Sequence, residues 1–468
     1  MAVPVKCRRD TTQDAQTPPT VSSSSLAPSA ETAGSKTRLV RSATGVFGYA
    51  PGSRLENNLS WVVGCLELAN AGDFAANVWN EVPVPVYAIV LMGMGGTVAA
   101  VLSIFAVCDA RRAWRNVRFV RQQRRDLGQA RQRARHDSQT ALSLGVLLAV
   151  TFRELWSEVI NRWAMDLLMG FGAVLISTGT YMAIAGANRT VWQVSNILSG
   201  YLGNTPIAVF GLVNSSWAGY MWFKAHGHTV AVGRVAALRG SRAAALVRKR
   251  VVRVKVFCLV NGTATLVGGA ASMLTASYWW AYVMLIPVIV SSIFCNLWWR
   301  RCLGYTRTQP RLDDGPLDLA DLVSRLEFAA MAEHRLRTVT HGSTLDVLLG
   351  SPAAGLPVSR VVQIVAQHGL MDALVLSIVS SSPEAADQLT RLTAASDSRV
   401  VEYRIGEQDI AGLPESMHAL IISLANACVE RAGARHFGNR QRWLAELLGT
   451  YCSQARRMGF DAQKPVPV

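Results

Sequence analysis

Five long apolar runs divide the chain. The first is "VPVYAIVLMGMGGTVAAVLSIFAV", Val84–Val107, and the others are Met165–Ala187, Leu198–Phe223, Val256–Thr275 and Tyr278–Trp299. A helix that crosses a bilayer needs about 20 mostly apolar residues. The pattern therefore predicts membrane spans over 84–107, 165–187, 198–223, 256–275 and 278–299. Only a short stretch at Ala276-Ser277 separates the last two, beside Tyr278, Trp279 and Trp280, aromatics that suit a membrane interface. A sixth run, "ALSLGVLLAVTF" at Ala141–Phe152, is short for a span and stops at Arg153 and Glu154.

Charge decides how to treat that sixth run. Ten arginines and three aspartates lie between Cys108 and Thr140, and nine basic residues with no acidic one lie in Lys224–Lys255. Arg300 and Arg301 follow the last run, whereas the segment Asn188–Ile197 holds only Arg189. Basic loops stay on the cytoplasmic side. Five spans put all three basic blocks there, with the N-terminus outside and the C-terminus inside; a sixth span would set the first block against the others. Ala141–Trp163 is then expected to be a buried or interfacial helix on the inner face. The sequons Asn58-Leu-Ser60 and Asn188-Arg-Thr190 fall on the expected outer side.

The flanks read differently. Residues 1–58 contain "TPPTVSSSSLAPSAETAGS", too poor in large apolar residues to fold, and are expected to be disordered. Residues 59–83 form a non-cytoplasmic segment before the membrane, 84–302 the transmembrane bundle, 303–460 a cytoplasmic domain, and 461–468 a tail. The domain is expected to be mainly helical, from "PLDLADLVSRLEFAAMAEHRL", "SMHALIISLANACVERA" and "NRQRWLAELLGTYCSQARRM". "SRVVEYRI" is its best strand, and "GSPAAG", Gly350–Gly355, reads as a turn. The fold class is thus all-α: a polytopic helical bundle of about five spans with a helical domain behind it.

Composition agrees with a membrane protein. Half of the 468 residues are hydrophobic and 17% are charged, against about 25% charged in soluble domains. The net charge of +16 sits between the apolar runs: residues 1–83 hold seven basic and seven acidic residues, and 303–468 hold sixteen and eighteen. The basic blocks adjoin apolar spans and lack interleaved aromatics, so nucleic acid is not an expected partner. Asp10 and Asp14 argue against a mitochondrial presequence, which favours the plasma membrane or an endomembrane.

No motif carries catalysis. There is no CxxC, and His226-Gly-His228 alone is too few ligands for a metal. "GMGG" at Gly93–Gly96 lies inside a span, so it is no nucleotide cradle. No catalytic, cofactor-binding or metal residues are assigned, and no cofactor is expected. Two other groups stand out. Polar or helix-bending residues lie within or beside spans: Asp166, Gly203, Asn204, Pro206, Asn214 and Asn261. They face inward because lipid cannot satisfy them. Asp166 suggests ion coupling, or else a helix cap or a partner for Arg162. Pro206 clashes with the carbonyl of Leu202 and is expected to kink or break the third span, a geometry that forms substrate sites in transporters but also occurs as a plain kink. The second group is basic: Arg111, Arg115, Arg118, Arg121 and Arg125 share a helix face, and Arg248, Lys249 and Arg250 lie in the second basic loop. Both sets suit anionic lipid, at about 1 kcal/mol per cation near the surface.

"VYAIVLMGMGGTVAAVLSIFAVCDARRAW", "MDLLMGFGAVLISTGTYMAIAGANRTVWQVSNILSGYLGNTPIAVFGLVN" and "SYWWAYVMLIPVIVSSIFCNLWW" resemble an uncharacterised family of integral membrane proteins from filamentous fungi. The likeness covers about residues 60–305 and implies a multi-pass topology and a fungal source, without catalytic residues. The expected function is a non-enzymatic membrane scaffold or organising protein, with basic loops on anionic lipid and protein partners on the C-terminal domain. A channel or transporter at the broken third span is the alternative, and a lipid-modifying enzyme ranks last.

Overall fold

The computed structural model describes residues 36–42, 44–79, 83–134, 137–310, 315–338, 344–349, 356–395 and 401–459. The expected disorder of 1–35, the turn at 350–355 and the tail 461–468 lie outside them. The chain is mostly helix. Short strands β1 (Thr37–Arg41), β2 (Phe47–Tyr49) and β3 (Arg54–Leu55) lead to a 3-10 helix, Val62–Ala71, and to α1 (Phe74–Val78). The long helices are α2 (Val86–Arg133), α3 (Ser138–Glu158), α4 (Met165–Ala183), α6 (Thr205–Arg234), α7 (Arg242–Leu274) and α8 (Ala281–Trp298), with the shorter α5 (Arg189–Asn196) before α6. Strand β4 (Arg307–Thr308) then opens a domain of α9 (Leu319–Thr338), α10 (Thr344–Leu349), α11 (Val358–Gln367), α12 (Met371–Ser381), α13 (Pro383–Thr393), β5 (Ala394–Ala395), β6 (Glu402–Ile405), α14 (Glu407–Ala411), α15 (His418–Cys428) and α16 (Ala434–Arg457).

Four helices are long and apolar enough to cross a membrane: Val86–Arg133, Ser138–Ala183, Arg242–Leu274 and Ala281–Leu303. They contain four of the five expected spans. The remaining one lies in α6, whose 30 residues extend about 45 Å. It falls short on hydropathy because Asn214, Ser215 and Ser216 interrupt its apolar face. Small residues let α6 pack closely on α7: a Cβ on Gly211 would come within 2.4 Å of the Thr265 carbonyl, and one on Gly269 within 2.9 Å of Ala208 Cα. Close backbone approach of this kind is how helices associate where solvent does not drive them together.

Ala141–Phe152 is helical and packs against the C-terminal domain. It lies in α3, which continues through a π-helical turn, Val159–Ala164, into α4 as one 46-residue rod. Leu142, Leu147 and Val150 are buried in the same core as Leu326, Leu374, Phe437 and Leu448 of the C-terminal domain. Val232 near the end of α6 and Val247 near the start of α7 enter that core too. The domain is therefore seated on the arginine-rich end of the bundle, with α16 against α3, α6 and α7.

The amino-terminal expectation needs correction. Residues 37–55 are structured, and they lie with the C-terminal region instead of opposite it. Strand β1 pairs antiparallel with β6, Leu39 opposite Tyr403, in a four-stranded sheet of order β2-β1-β6-β5, and β3 pairs with β4. A sheet cannot form across a membrane, so an N-terminus outside and a C-terminus inside cannot both hold for these segments. The signal was weak in sequence because these strands are short, and β6, which ties β1 to the C-terminal region, lies more than three hundred residues away.

Residues 59–83 also depart from expectation, since the described part packs into the bundle. The Ser60 amide donates to Asp109 Oδ1 at 3.3 Å, and Ser60 O accepts from Asn296 Nδ2 at 3.0 Å. Further along, Gly72 meets Gly95, and Asn77 reaches the Tyr282 hydroxyl at 2.6 Å. Asn296 lies near the end of α8 and Tyr282 near its start. This segment therefore runs along the length of α8.

Candidate functional sites

Three arrangements hold the chemistry. The first joins the bundle to the C-terminal domain. Arg153 on α3 donates from Nε and Nη2 to the two oxygens of Glu446 on α16, each at 2.6 Å, and Arg250 on α7 donates to the same carboxylate at 2.6 Å. Arg153 also donates to the Tyr305 hydroxyl, which donates to Glu154 at 2.7 Å. Arg307 beside Tyr305 pairs with Glu154 and donates to Gln123 Oε1 at 2.8 Å. All these side chains are nearly or wholly buried. Burial alone would raise the Glu446 carboxyl, but Arg153, Arg250 and Lys224 outweigh it and hold it well below the usual carboxylate range. His228, near the C-terminal end of α6, packs on Gly449 and is lowered by burial to about 4. Arg153, Lys224, His228, Arg250 and Glu446 line a cavity with an empty volume of ≈ 530 Å³.

The second arrangement lies inside the bundle. Asn161, Asn214, Asn261 and Asn296 come from four different helical segments and line one chamber with Arg162 and Ser292, of ≈ 470 Å³ empty volume. Arg162 donates to Glu158 and to Asp109, each at 3.0 Å, and is 2% exposed. Asp166, one turn further along α4, is fully buried.

The third is a stripe. Arg111, Arg115, Arg118, Arg121 and Arg125 are all exposed along α2, as their spacing predicts. None forms an ion pair among the described residues, although Arg121 lies over the Trp114 ring. Arg248 and Lys249 are exposed as well. Arg250 is not available for lipid as expected: its guanidinium is committed to Glu446.

The predicted break in the third span is present, but it is closed by the chain itself. A π-helical turn, Ile197–Leu202, precedes α6, and Pro206 occupies its first turn, where a missing N–H costs little. Asn204 donates to Gly200 O at 2.9 Å and to Thr275 Oγ1 on α7 at 3.3 Å. Gly203 lies against α4, its carbonyl 2.5 Å from where a Cβ on Gly172 would stand. So Asn204 meets another helix. Asn214 reaches Thr265 Oγ1 at 3.0 Å and also lines the chamber, as does Asn261. Asp166 caps nothing, because helix continues on both sides of it; Arg162 pairs instead with Asp109 and Glu158.

Sequence reasoning missed Arg153, Glu154, Glu158, Tyr305, Arg307 and Glu446. Their one signal was that Arg153, Glu154 and Glu158 interrupt an otherwise apolar helix. Comparison with known protein families, curated proteins and solved structures finds no match for this chain.

Proposed function

We propose that this chain is an integral membrane scaffold that crosses the bilayer six times and presents its C-terminal domain and arginine stripe to the cytoplasmic leaflet. The outward faces support the lipid setting. Val90, Met94, Ile104, Val209, Leu212, Phe223, Val283, Ile286 and Val290 are large, apolar and exposed, a belt that water does not tolerate over this extent. Its share on α6 argues that α6 crosses as well. With residues 59–79 as an irregular first crossing, the segments 86–108, 160–183, 197–223, 252–274 and 281–303 alternate so that every basic block and both flanking regions fall on one side. Irregular backbone is tolerated at membrane depth when protein covers it.

The observation that carries the lipid reading is the row of five exposed arginines on α2, placed directly beyond its apolar stretch. Unpaired guanidiniums at that level suit phosphate headgroups. Reconstitution into nanodiscs containing phosphatidylcholine with or without phosphatidylserine, followed by native mass spectrometry, tests it. The wild type is expected to retain phosphatidylserine, and a variant with all five arginines changed to glutamine to lose it while keeping its thermal midpoint in phosphatidylcholine. Equal retention by both would remove the lipid role.

A further inference from the structure

The chamber has more oxygen acceptors than the protein satisfies. Asn214 spends its amide nitrogen on Thr265, and Asn296 spends its own on the Ser60 carbonyl. The amide oxygens of Asn161, Asn214 and Asn296 then have no partner among the described residues, although Asn214 is 1% and Asn296 8% exposed. A buried acceptor left without a donor costs about 1–3 kcal/mol. Three of them, brought by three separate helical segments to one chamber, are more than packing explains.

The charge beside the chamber points the same way. Asp109, Glu158 and Asp166 face a single guanidinium, Arg162, and each of the four is at least nine-tenths buried. Neither oxygen of Asp166 has a partner among the described residues, so three carboxyl groups stand around one guanidinium. Acidic groups in excess in a low-dielectric interior favour a cation nearby. Arg162 lines the chamber, but its guanidinium is held by Asp109 and Glu158.

We propose that the chamber binds one small monovalent cation, an alkali ion or ammonium, through the amide oxygens of Asn161, Asn214 and Asn296. Amide carbonyls are hard oxygen donors that replace the hydration shell of such ions. These donors are uncharged, like the backbone carbonyls that line alkali-ion filters. Neither the arginine stripe nor the scaffold reading enters into this assignment.

The test uses the full-length protein in phosphatidylcholine nanodiscs, where anionic lipid is absent. Thermal midpoints are measured in sodium, potassium, ammonium and N-methylglucamine chlorides at equal ionic strength. At least one of the first three is expected to raise the midpoint saturably over N-methylglucamine, and which one does so separates an alkali site from an ammonium site. Asn214→Leu is expected to fold in N-methylglucamine and to raise the half-saturating concentration at least about tenfold, the weight of a lost buried ligand. Should that variant not fold, Asn296→Leu carries the same readout. Identical midpoints in all four salts, or a wild-type response from a folded variant, would overturn the assignment.

Discussion

Glu446 on α16 binds Arg153 on α3 through two parallel hydrogen bonds of 2.6 Å. These are the strongest type of side-chain pair, planar and charge-assisted at both contacts. The pair crosses from the C-terminal domain to the helix that continues into α4, so one carboxylate ties the domain to the bundle. Arg250 adds a third helix to the same anchor.

Removing only the carboxylate charge is therefore expected to be severe. Glu446→Gln leaves Arg153 and Arg250 buried without a counter-charge, a loss of about 3–5 kcal/mol for a broken buried pair. Thermal unfolding of the solubilised protein should show the domain melting ahead of the bundle. The triple change of Glu446→Leu, Arg153→Met and Arg250→Met should recover most of the loss, because apolar residues of similar volume often replace a buried ion network at little cost. If Glu446→Gln melts like the wild type, the anchor is not structural.

Acid should loosen the same junction. His228 has a folded value of about 4 against 6.5, so the unfolded chain takes up the proton first. Its neutral form favours folding fully above pH 6.5, and that contribution is lost as pH falls from 6.5 toward 4. The window bounds the effect at about 3 kcal/mol, since each unit is worth 1.36 kcal/mol. Glu446, held low, acts with the same sign: its contribution is present above the ordinary glutamate range and fades at more acidic pH. Proteolytic susceptibility of the domain between pH 7 and pH 4.5 reads this directly. His228→Asn should flatten the upper part of that profile.

How much was legible follows from the range over which each signal acts. The apolar helices α2, α4, α7 and α8 announce themselves because their apolar runs are long, and the break before Pro206 because a proline acts on its own turn. The arginine stripe of α2 needed only helical spacing. Residues 59–79 were not legible as part of the bundle. Glu67 and Asp73 lower their hydropathy, yet both are buried, Glu67 against Asn70 at 2.6 Å and Asp73 against the Tyr282 hydroxyl at 2.8 Å. The partner of Asp73 lies 209 residues away. Glu446 was hidden for the same reason: nothing near it in sequence says that a helix 293 residues earlier supplies its arginine.

The glycines of "GMGG" give a paired test of how that segment is seated. A Cβ on Gly95 would stand 2.1 Å from the Gly72 carbonyl, whereas one on Gly93 meets nothing within 4 Å. Both residues are helical and lie one turn fraction apart. Gly95→Ala is expected to cost about 1–3 kcal/mol, as overpacking does. Gly93→Ala should be neutral or stabilise by up to about 1 kcal/mol, the helix propensity difference. Thermal midpoints of the two variants decide it; equal midpoints would mean that residues 59–79 do not press on α2.

The last prediction concerns sidedness. Charge parity counted spans from the first unbroken apolar run, so it placed everything before Val84 outside. The ladder between β1 and β6 makes residues 37–41 share a side with 402–405 whatever that side is. Single reporter cysteines separate the two arrangements, in a background with Cys7, Cys65, Cys108 and Cys302 changed to alanine. Thr44→Cys and Glu415→Cys lie at exposed positions near the sheet and the domain, and Asn188→Cys lies on the loop before α5. With intact cells or sealed vesicles and an impermeant maleimide, Asn188→Cys should label from the side opposite the other two, and Thr44→Cys and Glu415→Cys should become reactive together on permeabilisation. A Thr44→Cys that labels together with Asn188→Cys before permeabilisation would return the chain to five crossings and would require the strand pairing to be wrong.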